Sequence, residues 1–74
     1  MNRANFLSDF KEYVGAVADI SPETRLADLP EWDSLTAVSV VTLLAAQYDA
    51  NLTLADVQQA GTVGGIMDKA GIPA

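Results

Sequence analysis

The apolar residues Phe6, Leu7, Phe10, Val14 and Val17 recur at steps of one, three, four and three. That spacing lines one stripe of a helix of period 3.6. Asp9, Lys11, Glu12 and Asp19 fall mostly on the other side, so the pattern predicts an amphipathic helix over roughly Arg3 to Ala18. Gly15 would lie inside it at a cost of about 1 kcal/mol against Ala, tolerable where a neighbour packs close. A second run, Leu35, Val38, Val41, Leu44, Ala45 and Tyr48, repeats at three- and four-residue steps. It predicts the longest helix, Ser34 to Tyr48, with Asp33 as its N-cap. Asp33 and Asp49 bracket fifteen residues without a single charge. Such a body is either a buried core helix or one whose outer side is meant for something other than water.

Between these helices "DISPETRLADLPEWD" reads as a long structured loop. Ser21-Pro22 signals a turn or a single helical turn, and Pro30 disfavours helical geometry at Leu29. Leu26 and Leu29 are the loop's candidate anchors. Later, "TLAD" (Thr53 to Asp56) matches a capping-box start and opens a short helix, Leu54 to Gln59, ended by Gly61. Thr62 caps a last helix bearing Val63, Ile66, Met67 and Ala70, with Gly71 placed as a C-cap and Pro73 beyond. No alternating run is long enough for a strand. The expected fold is all-α: a small bundle of three main helices plus one short helix, with a long loop between the first two.

Composition narrows what such a bundle can do. Seventy-four residues make one domain, 1–74, and a chain this short buries only about 60% of its unfolded surface. There is no Cys and no His, which removes disulfides, thiolate nucleophiles, imidazole bases and ordinary zinc sites. An enzyme in its own right is disfavoured, and any reactive group is acquired from elsewhere. Ten acids against four bases give a net charge of −6. Arg3, Lys11, Arg25 and Lys69 are scattered, so no patch can track a phosphate backbone and nucleic acid is an unsuitable partner. The longest apolar stretch, Val38 to Ala46, is far short of the ~20 residues a spanning helix needs. No signal peptide is visible. The expected compartment is the cytoplasm.

The order of elements then carries a resemblance. A hydrophobic first helix, a loop with "SPETRLADL", "DSL" at Asp33-Ser34-Leu35, a short third helix and "TVGGIMDKAG" follow one another. Over roughly Phe6 to Gly71 this resembles the acyl carrier protein family. "DSL" alone is three common residues, and its plain reading is an N-cap followed by a helix; the order around it gives it meaning. The resemblance implies that a phosphopantetheinyl transferase attaches 4′-phosphopantetheine from coenzyme A to Ser34. The thiol of that arm would then carry acyl or aminoacyl groups as thioesters between loading and consuming enzymes. It also implies a monomer, with Asp33 as helix cap or transferase contact. A phosphate on Ser34 would lie at a helix N-terminus, which favours negative charge, although Asp33 is a like charge beside it.

The chain departs from the family's fatty-acid members at the second helix. Ser39, Ala45, Ala46 and Gln47 stand where those members are acidic, so charge-steered docking along this helix should be weak. Leu35 and Thr42 are the expected partner contacts. Trp32 is either a loop anchor against the first helix, the reading we favour, or a partner-facing aromatic. These departures point to a free-standing carrier of a specialised pathway, whether polyketide, aminoacyl or lipid-modifying. The expected interior is Phe6, Phe10, Val14, Val38, Val41, Leu44, Ile66 and Met67. The alternative reading is an unmodified helical adaptor that binds a protein partner through the neutral second helix.

Overall fold

The computed structural model describes residues 2–72. Four helices follow in order: α1 (Arg3–Val14), α2 (Ser34–Gln47), α3 (Leu54–Gln59) and α4 (Val63–Ala70), with a 3-10 turn at Leu26–Asp28 in the long loop. Among the described residues there is no strand, only one isolated antiparallel bridge between Arg25 and Thr62. The all-α architecture expected from the pattern is the one observed. Both α3 and α4 have the expected limits because each is opened by a threonine. Thr53 Oγ accepts from Asp56 N–H and Thr62 Oγ from Gly65 N–H, satisfying donors that a helix start leaves open.

The first helix is shorter than its pattern suggests, ending at Val14 and not at Ala18. Gly15 turns left-handed at φ 74°, and the N–H groups of Gly15 and Ala16 both close on Lys11 O at 2.9 and 3.0 Å. A Cβ at Gly15 would meet nothing within 4 Å. Its backbone angle, and not close packing, is therefore what calls for glycine. Past this stop Val17 leaves the stripe and is 85% exposed.

The second helix buries a different face from the one its spacing suggested. Ala37, Val40, Leu43 and Leu44 are buried with the capping Tyr48, whereas Leu35, Val38 and Ala45 are exposed and Val41 is half-buried. An uncharged helix offers apolar residues in two phases, and no polar face marks the outside. Tertiary packing selects the phase with Ala37, which is fully buried. The rest of the expected interior, Phe6, Phe10, Val14, Leu44, Ile66 and Met67, is buried.

Aromatic rings join α1, α2 and the loop. Phe6 meets Tyr48 edge-on at 5.4 Å, and Phe10 stacks with Trp32 at 5.9 Å, both ordinary aromatic geometries. Tyr48 donates its hydroxyl to Asp9 at 2.7 Å. Burial first, then that hydrogen bond and the nearby carboxylate charge, push the Tyr48 phenol up to about 12.

The long loop is tied to the start of α4 by main-chain bonds. Leu26 N–H donates to Gly61 O at 3.0 Å, Val63 N–H to Thr24 O at 3.0 Å and Gly64 N–H to Pro22 O at 2.8 Å. Leu26 and Leu29 point inward, as their positions suggested. Any Cβ at Gly64 would lie 2.8 Å from Pro22 O, so glycine lets the loop come this near. At the chain's ends Arg3 joins α1 to α4, donating to Asp68 at 2.7 Å and to Ile72 O at 3.0 Å. Pro73 lies outside the described residues.

Candidate modification site at the start of the second helix

Two short turns lead the chain into α2. Leu29 N–H closes on Leu26 O and Trp32 N–H on Leu29 O, both at 3.1 Å. Leu29 is buried and Trp32 half-buried, so side chains fix the approach from the core side. The stacking of Trp32 on Phe10 is the anchor arrangement that the sequence reading favoured for this residue.

Asp33 then holds the extended conformation of an N-cap, at φ −153°. Its Oδ1 accepts from Thr36 N–H at 2.9 Å, while Thr36 Oγ accepts from Asp33 N–H at 2.8 Å. This reciprocal pair is a capping box with Thr in place of the usual Glu or Gln. It occupies one carboxylate oxygen and leaves Oδ2 open to solvent, among the described hydrogen bonds.

Ser34 is the first residue of α2 and is exposed. Its hydroxyl makes no hydrogen bond among the described residues, and neither the Ser34 nor the Leu35 N–H finds an acceptor there. The result is a primary alcohol on a rigid, capped helix end with two free amide donors beside it. A phosphate ester on Oγ would lie where those donors and the helix dipole favour negative charge. The chain has no imidazole or thiol to activate this hydroxyl.

Leu35 follows at 78% exposed, the more exposed of the two large apolar side chains that α2 leaves outside. Thr42 is exposed on the same side, two turns further along. Between them lies Val38, 48% exposed, a residue the spacing had assigned to the interior. Its position, three after Leu35 and four before Thr42, is the signal that places it in an outward stripe. Ser39 Oγ donates to Leu35 O and Thr42 Oγ to Val38 O, at 3.2 and 3.1 Å. With both hydroxyl protons turned onto the helix's own carbonyls, the stripe presents mostly carbon. Trp32, Asp33, Ser34 and Leu35 thus stand together by chain adjacency, and Thr42 lies about 12 Å further along the axis.

Among the described residues no group of acids could hold a metal ion, and no helix is long and apolar enough to cross a membrane. Neither a curated protein nor a solved structure matches the chain significantly. A family model does: the phosphopantetheine attachment site, over residues 7–69. That span takes in most of α1, the loop, the Asp33-Ser34-Leu35 start of α2, and α3 with nearly all of α4. Attachment of phosphopantetheine needs an accessible hydroxyl held apart from the core, and the capped start of α2 offers one. The chain belongs to the phosphopantetheine-attachment family, the non-catalytic acyl-carrier-like domains that bear a covalent 4′-phosphopantetheine and pass between transferases and acyl-handling enzymes.

Proposed function

We propose that Ser34 is the attachment residue and that the chain works as one cytoplasmic, monomeric carrier domain for acyl or aminoacyl thioesters. One observation carries this reading. Ser34 has an exposed, unengaged hydroxyl at the head of a capped helix, inside the span matched by the family. Its oxygen would form the new bond to phosphorus as the pyrophosphate of coenzyme A breaks. The adenosine half leaves as the bisphosphate, and the serine proton passes to a base of the transferase. Once bound, the arm supplies the thiol that this cysteine-free chain lacks. The free Ser34 and Leu35 N–H groups then steady the ester's charge, and the Oδ2 of Asp33, which the cap does not use, serves as a contact for the transferase.

The neutral body of α2 favours a specialised pathway, whether polyketide, aminoacyl or lipid-modifying, over one whose enzymes grip an acidic helix. Leu35 and Thr42 are proposed as partner contacts. Trp32 acts from beneath, holding the turn that presents Ser34.

The test is intact-mass analysis after incubation with coenzyme A, magnesium and a broad-specificity phosphopantetheinyl transferase. The parent protein gains the mass of the arm and Ser34→Ala does not. A gain that persists in Ser34→Ala would put the site elsewhere. An unmodified adaptor, in contrast, would show no gain in the parent protein and would bind its partner equally well as Ser34→Ala.

A further inference from the structure

Thr36 does more to Asp33 than close a helix end. Its Oγ accepts from Asp33 N–H at 2.8 Å, and faces the Asp33 carbonyl oxygen at 3.0 Å and the carboxylate Oδ1 at 3.3 Å. Its own N–H donates to the same Oδ1 at 2.9 Å. The hydroxyl has one proton to share between the carbonyl and Oδ1, and Asp33 O is already met by Ala37 N–H at 3.0 Å. The charged oxygen is the stronger acceptor of the two. One hydroxyl thus touches both the main chain and the carboxylate of Asp33, and so fixes the side-chain rotation between them. Nothing else described holds that carboxylate. Asp33 is exposed, and the ion pairs among the described residues are Arg3–Asp68 and Lys11–Asp19. The residue type suits the task, because branching at Cβ leaves threonine few rotamers. Glu or Gln would reach Asp33 N–H through a longer and more mobile chain, and Glu would set a second negative charge near Ser34.

We propose that Thr36 is a positioning residue for arm attachment. It acts through Asp33, holding the carboxylate in the rotamer whose Oδ1 caps α2 and whose Oδ2 is left for the transferase. This role rests on the reading of Ser34 as the attachment residue and of Asp33 as a transferase contact. A carboxylate already fixed by folding gives up no rotamer freedom when the transferase meets it, so less of the contact is spent on ordering. Thr36 needs no contact of its own with the transferase.

The experiment measures kcat/KM for arm attachment, with coenzyme A, magnesium and the broad-specificity transferase, well below the melting temperature. Thr36→Val keeps the branched shape, a similar helix propensity and the N–H that bonds Oδ1, and removes only the hydroxyl. It is expected to lose about three- to tenfold, the scale of one hydrogen bond. Thr36→Ser restores the hydroxyl and recovers most of that loss. In an Asp33→Asn background, Thr36→Val costs less than about twofold more, because residues acting through one group do not add. A second readout needs no transferase: the Hα–Hβ couplings of Asp33 in the unmodified protein. They report one rotamer in the parent and in Thr36→Ser, and an average in Thr36→Val. An equal loss from Thr36→Val with and without the Asp33 carboxylate overturns the proposal, since Thr36 would then meet the transferase itself. So does a parent-like rate in Thr36→Val, a loss that Thr36→Ser fails to recover, or a single Asp33 rotamer in Thr36→Val. A parent protein that never gains the arm refutes the carrier reading itself, and with it the role of Thr36, whatever the couplings show.

Discussion

Asp33 has two separable duties, and substitution can part them. Alanine removes the cap and costs about 1 kcal/mol, read as a lower midpoint in denaturant. Asparagine caps nearly as well and removes only the charge. If the carboxylate takes part in arm attachment, Asp33→Asn keeps the parent's stability and still slows the reaction. Equal attachment rates for the parent and Asp33→Asn would leave this residue as a cap alone. Tyr48 is the other residue with a measurable signature. Its phenol is raised from 10.0 to about 12, so between those values the folded chain keeps a proton that the unfolded chain has lost. Stability from this group is complete below pH 10 and falls as pH rises through about 12. Chemical denaturation across that range should show a decline in the parent that is smaller in Tyr48→Phe. The phenylalanine variant is also about 1 kcal/mol less stable at neutral pH, having lost the bond to Asp9.

Elements differ in how plainly the sequence announced them. Helices α3 and α4 were legible to the residue because Thr53, Thr62 and Gly71 are local signals, each acting on the turn beside it. The start of α2 at Ser34 was legible for a related reason, since Asp33 is a cap residue beside it. The end of α1 was missed because a glycine that stops a helix and one that merely weakens it look alike until the backbone angle is known. The face of α2 was missed because Leu35 and Val38 are as apolar as Val40 and Leu43, and only tertiary packing chooses between them. Val38 therefore passed as core. Gly64 sits at the join between loop and α4, a contact no periodicity reveals. Gly64→Ala would press a methyl group onto Pro22 O and should cost about 1–3 kcal/mol, measured by thermal or denaturant melting.

At the scale of the whole molecule, fourteen charged side chains sum to −6 and only two ion pairs form among the described residues. Exposed pairs of this kind contribute little, and the excess acids repel one another across a body with a radius of gyration of 10.6 Å. Screening should then outweigh the loss of the pairs, so the melting temperature is expected to rise from low to moderate salt. A fall would mean that Arg3–Asp68 and Lys11–Asp19 contribute more than their exposure suggests.

The backbone bonds from Pro22, Thr24 and Leu26 to the start of α4 have a consequence for change over time. A segment whose course is fixed by main-chain bonds, the Ser21–Thr24 turn, two leucines and Trp32 does not depend on Asp28 or Glu31 for shape. Of its acids, Asp28 and Glu31 can be exchanged without disturbing the helix that Asp33 caps. The charge of the loop can therefore drift from one descendant of this chain to the next while its path, and with it the place of the Ser34 hydroxyl, stays constant.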